Sequence, residues 1–385
     1  MRCSTSTEEA SKRAGPCIGA GLAVLTGVVV LALSGTAWAK ETTAHYRVIG
    51  YATGWNPQQD GTSDKINTLI FAFAEIKGGR IVLDEAAAKR LRALIALKRR
   101  DPGLKVDISV GGWGAGGFSE AASTKTSRET FAESAARLVV ANHADGLDID
   151  WEYPGHSESG IASSREDRGD FTLLLRNVHK RLDTAGAAQD RHYTLSLAVA
   201  DGPFVSGIDI AAVNHYVDWF NLMSYDFCNS MTPETCHHTG LHASTLAPAD
   251  ARTTSRAVRQ FLDAGVPARK LVIGAAFYGR EFGDVSPAHD GLYQPYKKYI
   301  GEIPWPRLKS DFINRNGFVR HWDPRADAAW LWNPQTRTFI TYEDPASIAA
   351  KAAFVKAHHL GGIMYWEQSL DPTGELLDAI RHGLD

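Results

Sequence analysis

Three carboxylates recur at every second position in Gly146-Leu147-Asp148-Ile149-Asp150-Trp151-Glu152-Tyr153-Pro154. In an extended strand alternate side chains share a face, so Asp148, Asp150 and Glu152 are expected to project together, with neighbouring Cα atoms about 6.6 Å apart. Leu147, Ile149 and Trp151 take the other face and are expected to pack against a helix layer. A row of like charges on a buried strand is costly unless protons are shared or partners are supplied. An exposed acidic edge strand would avoid that cost, but it has no need of bulky apolar residues opposite the acids. Chemistry is the better use of the row. Glu152, last before a Tyr-Pro turn, suits a general acid, and Asp148 and Asp150 suit sharing a proton and tuning it.

Such a row needs a scaffold that presents strand ends. Eight strand-like runs are present: Tyr46–Ala52, Thr68–Ala74, Val106–Gly111, Gly146–Glu152, Tyr193–Ala200, Trp219–Tyr225, Leu271–Tyr278 and Gly362–Trp366. Between several of them the apolar period changes to that of a helix. Phe171, Leu174, Leu175, Val178 and Leu182 form one stripe, and Ser163 with Glu166 reads as its capping box. Leu91, Leu94 and Ile95 mark another helix, and Asp344-Pro345 opens one carrying Ile348, Ala352 and Val355. The first helix, between Asn56 and Ile66, is short and turn-rich. Eight alternations predict an α/β fold, a (β/α)8 TIM barrel whose reactive groups stand at the C-terminal strand ends. One connection is too long for that plan: about 65 residues separate Arg280 from Pro345, against the usual two to six. Its Trp305, Trp322, Trp330, Trp332, Tyr293, Tyr296 and Tyr299 predict a small α+β subdomain over 283–340, between strand 7 and helix 7, with aromatic rings facing a groove.

Composition narrows the partners. With 385 residues, 44% hydrophobic, 22% charged and a net charge of −3, the chain is globular and offers no basic surface for nucleic acid. Lys12 and Arg13, an apolar stretch from Ile18 to Leu33, and Ala37-Trp38-Ala39 read as an export signal over 1–39, leaving 40–385 as the mature protein. An uncleaved anchor is the competing reading, since Ile18 to Trp38 approaches the roughly 20 residues of a spanning helix. We expect a secreted or periplasmic monomer with no membrane partner once the signal is removed. Of four cysteines, Cys3 and Cys17 fall in the signal. Cys228 and Cys236 are expected to close a small disulfide loop. Nearby His237, His238 and His242 raise a Cys/His metal site, but the spacing matches no standard zinc pattern.

The spacing of Asp145, Asp148, Asp150 and Glu152 resembles DxxDxDxE, the signature of glycoside hydrolase family 18, the chitinases and their relatives. Met223-Ser224-Tyr225-Asp226 resembles the MxYD element of that family, and Ser109-Val110-Gly111-Gly112-Trp113 its SxGG motif. The resemblance runs from about Tyr46 to the C-terminus and implies the same barrel, with an insertion at this place walling one side of a deep groove. It implies Glu152 as acid and base, with Asp150 orienting and stabilising the substrate's own 2-acetamido group as it attacks the anomeric carbon; the family is an exception to the two-carboxylate rule. Asp148 would share Asp150's proton from below, and Tyr225 would hydrogen-bond the acetamide. Substrate contacts would come from Tyr51, Phe73, Ser109, Trp113, Met223, Asp226, Tyr278, Arg280 and Trp366. In that reading Trp366 is the floor and Trp113 a platform on the leaving-group side. No metal or organic cofactor is implied. The expected substrate is chitin or N-acetylglucosamine oligosaccharides. Two alternatives remain: an endo-β-N-acetylglucosaminidase acting on N-glycan cores, and an inactive, lectin-like member, which the presence of Glu152 disfavours.

Overall fold

The structure, a computed structural model, describes residues 46–54 and 63–385. The expected export signal and most of the first helical segment lie outside the described residues.

Eight parallel strands carry the fold: β1 (Arg47–Ala52), β2 (Thr68–Lys77), β3 (Lys105–Gly111), β4 (Gly146–Asp150), β5 (Thr194–Val199), β6 (Trp219–Leu222), β7 (Leu271–Ala276) and β8 (Gly362–Trp366). Each pairs with the next in chain order, and β8 returns to β1, closing the barrel. Leu147 and Ile149 point outward and are fully buried. Trp151 stacks on Phe118 at 5.3 Å and meets the edge of Phe171 at 5.3 Å, so the apolar side of the acidic row packs on helices as its alternation requires. Register builds the polar inside: Asp148 lies opposite Ser109 on β3 and Ser196 on β5.

Asp145 precedes β4 and serves the opposite end of the barrel. Its carboxylate meets Lys98 at 2.6 Å and Arg191 at 2.8 Å, and accepts from the Val106 amide at 2.9 Å. The first acid of the signature therefore pins the strand start.

Three local expectations are corrected. β4 ends at Asp150, and Glu152 stands two residues beyond it. The helix Asp167–Ala187 does not use a Ser163–Glu166 capping box. Buried Asp167 gathers Ser164 N at 2.8 Å, Gly155 N at 3.1 Å and Ser119 Oγ at 2.7 Å, a stronger set of donors than an exposed serine could meet. β7 stops at Ala276, and Phe277 turns the chain out of the barrel, its N bonded to Trp366 O at 2.9 Å and its O to Trp305 N at 3.1 Å. Tyr278-Gly279-Arg280 thus opens a second sheet instead of closing β7.

That sheet is antiparallel, ordered Lys298–Pro304, Tyr278–Gly283, Thr338–Tyr342, Ala328–Asn333 and Val319–Asp323. Its aromatic residues mostly pack on one another. Phe282, Trp330, Trp332 and Phe339 are buried in a core with Val285 and Leu292, flanked by Tyr293, Tyr296 and Tyr299. The expectation that these rings face a groove holds only for Tyr299, which also lines the cleft described next. A five-stranded sheet standing apart from the barrel interior needs an apolar core of its own, to which Trp330 and Trp332 contribute, while Trp305 joins the barrel's core and Trp322 packs against it.

Candidate active site

A cleft of about 990 Å³ opens where the C-terminal strand ends meet the second sheet, lined by Asp150, Glu152, Tyr225 and Asp226 among others. Tyr51, Phe73, Trp113, Met223, Tyr278, Arg280 and Trp366 line it too. Asp148 and Ser109 lie beneath it, fully buried.

Asp148 is held by four donors. Ser196 Oγ at 2.6 Å and Asn221 Nδ2 at 3.2 Å donate to Oδ1; Ser109 Oγ at 2.8 Å and Tyr51 Oη at 3.0 Å donate to Oδ2. Burial raises its carboxyl, and these hydrogen bonds oppose the rise. The four donors fix the carboxyl beneath Asp150, and burial still leaves it raised.

Asp150 has no comparable cage. Its Oδ1 is buried without a partner among the described residues, and burial, with Glu152 and Asp148 adding charge, holds its carboxyl well above the usual range. The chain around it is tight. Gly111 and Gly112 have φ of +121° and +94°, and a Cβ on Gly111 would stand 1.9 Å from the Asp150 carbonyl oxygen. Only glycine fits between that carbonyl and the strand end.

Glu152 is buried at the cleft wall, its carboxyl pushed up to about 7 by burial, against a hydrogen bond with Tyr153 and with added repulsion from Asp226. A carboxylic acid titrating there holds a proton near neutrality and can also release it. Asp226 is the opposite case. Burial alone would raise it, but His238 and Arg280 override this and hold it well below the usual carboxylate range. Arg280 Nε at 2.8 Å and Tyr278 Oη at 2.9 Å both donate to Oδ1, and Arg280 Nη2 donates to Oδ2. Tyr278 and Arg280 face the cleft, yet the Tyr278 hydroxyl and two Arg280 nitrogens are committed to Asp226, while Arg280 Nη1 donates to Tyr299 and to Glu302 at 2.7 Å. Tyr225 is buried between Asp150 and Asp226, both of which raise its hydroxyl after burial.

The floor is aromatic. Trp366 stacks with Phe73 at 5.8 Å and meets Tyr51 at 5.8 Å. Trp113, 53% exposed, stands at the rim with its edge toward Tyr153. Flat apolar rings beside committed polar groups suit a sugar chain, with its apolar ring faces and polar rim.

Sequence reading missed several members. Asn221 and Ser196 were visible only as lone polar residues inside apolar strands, Trp219–Leu222 and Thr194–Val199. Arg252 enters from a distant loop, bonded to Asp201 by Nε at 2.9 Å and lying over Phe204 at 5.4 Å and Phe227 at 5.1 Å. Phe204, Tyr153 and Glu302 also line the cleft. Cys228 and Cys236 are bonded to each other with Cα atoms 5.8 Å apart, which removes both thiolates from any metal set. His237 is taken by Asp323 at 3.2 Å. Residues 229–232 of this loop line the cleft as well.

The arrangement can donate a proton from Glu152 to a bond lying in the cleft, beside a buried carboxyl with an open acceptor atom. Known proteins carry similar sequences and folds. The sequence model of glycosyl hydrolases family 18 matches residues 47–371. Chitinase A1 of Niallia circulans is 31% identical over 94% of this chain, which covers 62% of that protein's own length. Chitinase B of Serratia marcescens is 30% identical over 77% of this chain and 70% of its own. Among solved structures, a family 18 N-acetylglucosaminidase from Paenibacillus barengoltzii superposes with a TM-score of 0.83 at 41% identity, over 88% of this chain and all of that one. The chain belongs to glycosyl hydrolase family 18.

Proposed function

We propose that this protein hydrolyses β-1,4 bonds between N-acetylglucosamine units of chitin and its oligosaccharides, with retention and with help from the substrate's acetamido group. The observation that carries the reading is Glu152: buried, raised to about 7, and placed beside Asp150, whose Oδ1 has no partner among the described residues. Glu152 protonates the glycosidic oxygen as the acetamido carbonyl oxygen bonds to the anomeric carbon, giving an oxazolinium ion. Asp150 takes the acetamide N–H on its open oxygen and offsets the positive charge. Asp148, fixed by its four donors, shares Asp150's proton from below, and Tyr225 hydrogen-bonds the acetamide. Glu152 then accepts a proton from the water that opens the oxazolinium ring. Trp366 supports the reacting sugar, and Trp113 meets the leaving chain.

The relatives named chitinase support the substrate. Export is part of the proposal, supported by the basic, apolar and Ala-x-Ala order of residues 1–39; no helix among the described residues is long and apolar enough to cross a membrane. We read the second sheet as an inserted subdomain walling the cleft, supported by Tyr299 and Glu302 among the lining residues.

A second reading is release of single N-acetylglucosamine units from chain ends, favoured by the 41% identical neighbour described as an N-acetylglucosaminidase. Timed product analysis decides between them. On an N-acetylglucosamine hexamer, dimers and trimers appearing first support the chitinase reading, and monomer as the sole early product supports the second. Absence of cleavage of both hexamer and polymeric chitin overturns both.

A further inference from the structure

Among the described residues Lys351 is the only lysine or arginine that is buried. It stands on the helix Pro345–Ala357, and its partner Glu343 follows the strand Thr338–Tyr342 of the second sheet. Neither lines the cleft. Nζ and Oε1 form an ion pair at 2.8 Å, with both side chains enclosed. Burial pushes the Lys351 ammonium down and the Glu343 carboxyl up, and each charge opposes the other's shift. Stability alone gives little reason for such a pair, because apolar residues of similar volume in its place are often as stabilising or more so.

The pair reaches the ends of two barrel strands. Lys351 Nζ donates to Gly274 O on β7 at 2.9 Å and to Thr239 Oγ1. Thr239 Oγ1 in turn donates to Ser224 O at 3.0 Å. Ser224 Oγ donates to Gly274 O at 3.1 Å and accepts from Gly274 N at 2.8 Å. Glu343 Oε2 accepts from Ala276 N at 2.8 Å, at the last residue of β7.

Ser224 directly precedes Tyr225. Pairing between β6 and β7 ends at Leu222 and Ile273, so these side-chain bonds take over where the ladder stops. A Cβ on Gly274 would stand 2.8 Å from Tyr225 Cε1. The Tyr225 ring therefore rests on the residue that Lys351 and Ser224 hold. Among the described residues its hydroxyl meets only Met364 Sδ, a weak acceptor, at 4.0 Å. The ring and the backbone beneath it, rather than a partner of its own, place that hydroxyl.

We propose that Lys351, with Glu343, is a positioning residue for Tyr225. The ammonium group draws Gly274 O and, through Thr239, Ser224 O toward one point, which fixes the Tyr225 ring and aims its hydroxyl at the substrate's acetamide. Glu343 balances the ammonium charge and holds the end of β7. This rests on the reading of Tyr225 as the hydrogen-bond partner of the acetamide.

The test is a double-mutant cycle on hydrolysis of an N-acetylglucosamine hexamer by the full-length protein. Lys351→Met combined with Glu343→Gln removes both charges, orphans neither, and keeps an acceptor for Ala276 N. Circular dichroism and urea unfolding should show this variant folded. Its kcat should fall about ten-fold, because a displaced orienting group costs rate, while KM stays within about two-fold. In a Tyr225→Phe background the same two changes should alter kcat by less than about two-fold, since the hydroxyl they aim is gone. Thr239→Val leaves the ion pair intact and cuts only its link to Ser224. It should lower kcat about three-fold in the parent protein and leave it unchanged in Tyr225→Phe, and it decides the matter if the charge-free variant does not fold. An unchanged kcat in the parent background, or an equal fall in both backgrounds, overturns the inference. A parent protein that does not cleave the hexamer, or a Tyr225→Phe protein as fast as the parent, defeats the reading of the site and the inference with it. A slow Tyr225→Phe protein with equal falls in both backgrounds defeats the inference alone.

Discussion

Replacing Asn221 by Leu keeps much of the side chain's bulk and removes its polar atoms from the fully buried barrel interior. Three hydrogen bonds go: Nδ2 to Asp148 Oδ1 at 3.2 Å, Nδ2 to Tyr51 Oη at 3.1 Å, and Trp219 Nε1 to Oδ1 at 3.1 Å. A bond to a charged group contributes roughly 1.5–3 kcal/mol, and an orphaned buried indole N–H costs about 1–3 kcal/mol. These share partners and do not add fully, so the expected loss of stability is about 3–4 kcal/mol. The chemistry should suffer separately. Asp148 Oδ1 keeps only Ser196, so burial weighs more heavily on the carboxylate and its proton affinity rises. The shared proton is then held more firmly on Asp148 and is less available to Asp150, and kcat/KM should fall about ten-fold, corresponding to about 1.4 kcal/mol. Urea unfolding measures the first effect, and hexamer hydrolysis well below the unfolding temperature measures the second. A stability loss under about 1 kcal/mol with unchanged kcat/KM would refute the idea that the donor cage tunes the Asp148 carboxyl.

Three further outcomes are expected. Asp150→Asn should lower kcat more than it raises KM, because the charge matters most once the oxazolinium ion forms; thiazoline mimics of that ion should inhibit the parent protein, and trapping of a protein carboxylate by a mechanism-based label instead would exclude substrate assistance. The acid form of Glu152 is the active one, and its carboxyl is raised to about 7, so kcat/KM should fall as pH rises through about 7; a limb that begins to fall near pH 4.5 would contradict the burial argument. Asp107, buried with Oδ1 unpartnered among the described residues, has its carboxyl raised to about 8 by burial. Its folded form keeps the proton longer than the unfolded form does, so its contribution is present at low pH and lost as pH rises toward 8. Asp107→Asn, which can still accept from Thr194, should therefore add on the order of 2 kcal/mol at pH 8–9 and little at pH 4, read from thermal or urea unfolding.

Much of this was legible in the residues. Alternation around Asp148, Asp150 and Glu152 fixed their sidedness, and the Leu147, Ile149, Trp151 face packs on helices as read. All eight strands stand where the apolar runs placed them, because a buried parallel strand has to be apolar along most of its length. Ends were less legible: Glu152, Asp226 and Tyr278 all lie past their strands, where backbone pairing stops but the apolar pattern does not. Asn221, Ser196 and Arg252 escaped notice because their roles depend on neighbours tens of residues away, set by register rather than by local sequence. The density of rings in the second sheet reads as a groove wall, yet most of them fill a core. Periodicity marks a ring as buried or exposed but does not say which partner buries it.

The most direct test of the account is the single-turnover rate of Glu152→Gln on an N-acetylglucosamine hexamer, with binding of the same oligomer measured in parallel. Gln keeps the size and hydrogen bonding but has no proton to give, so the rate should fall by about 10²–10⁴ while affinity stays near that of the parent protein. A folded Glu152→Gln protein that retains near-parental turnover would contradict the central claim.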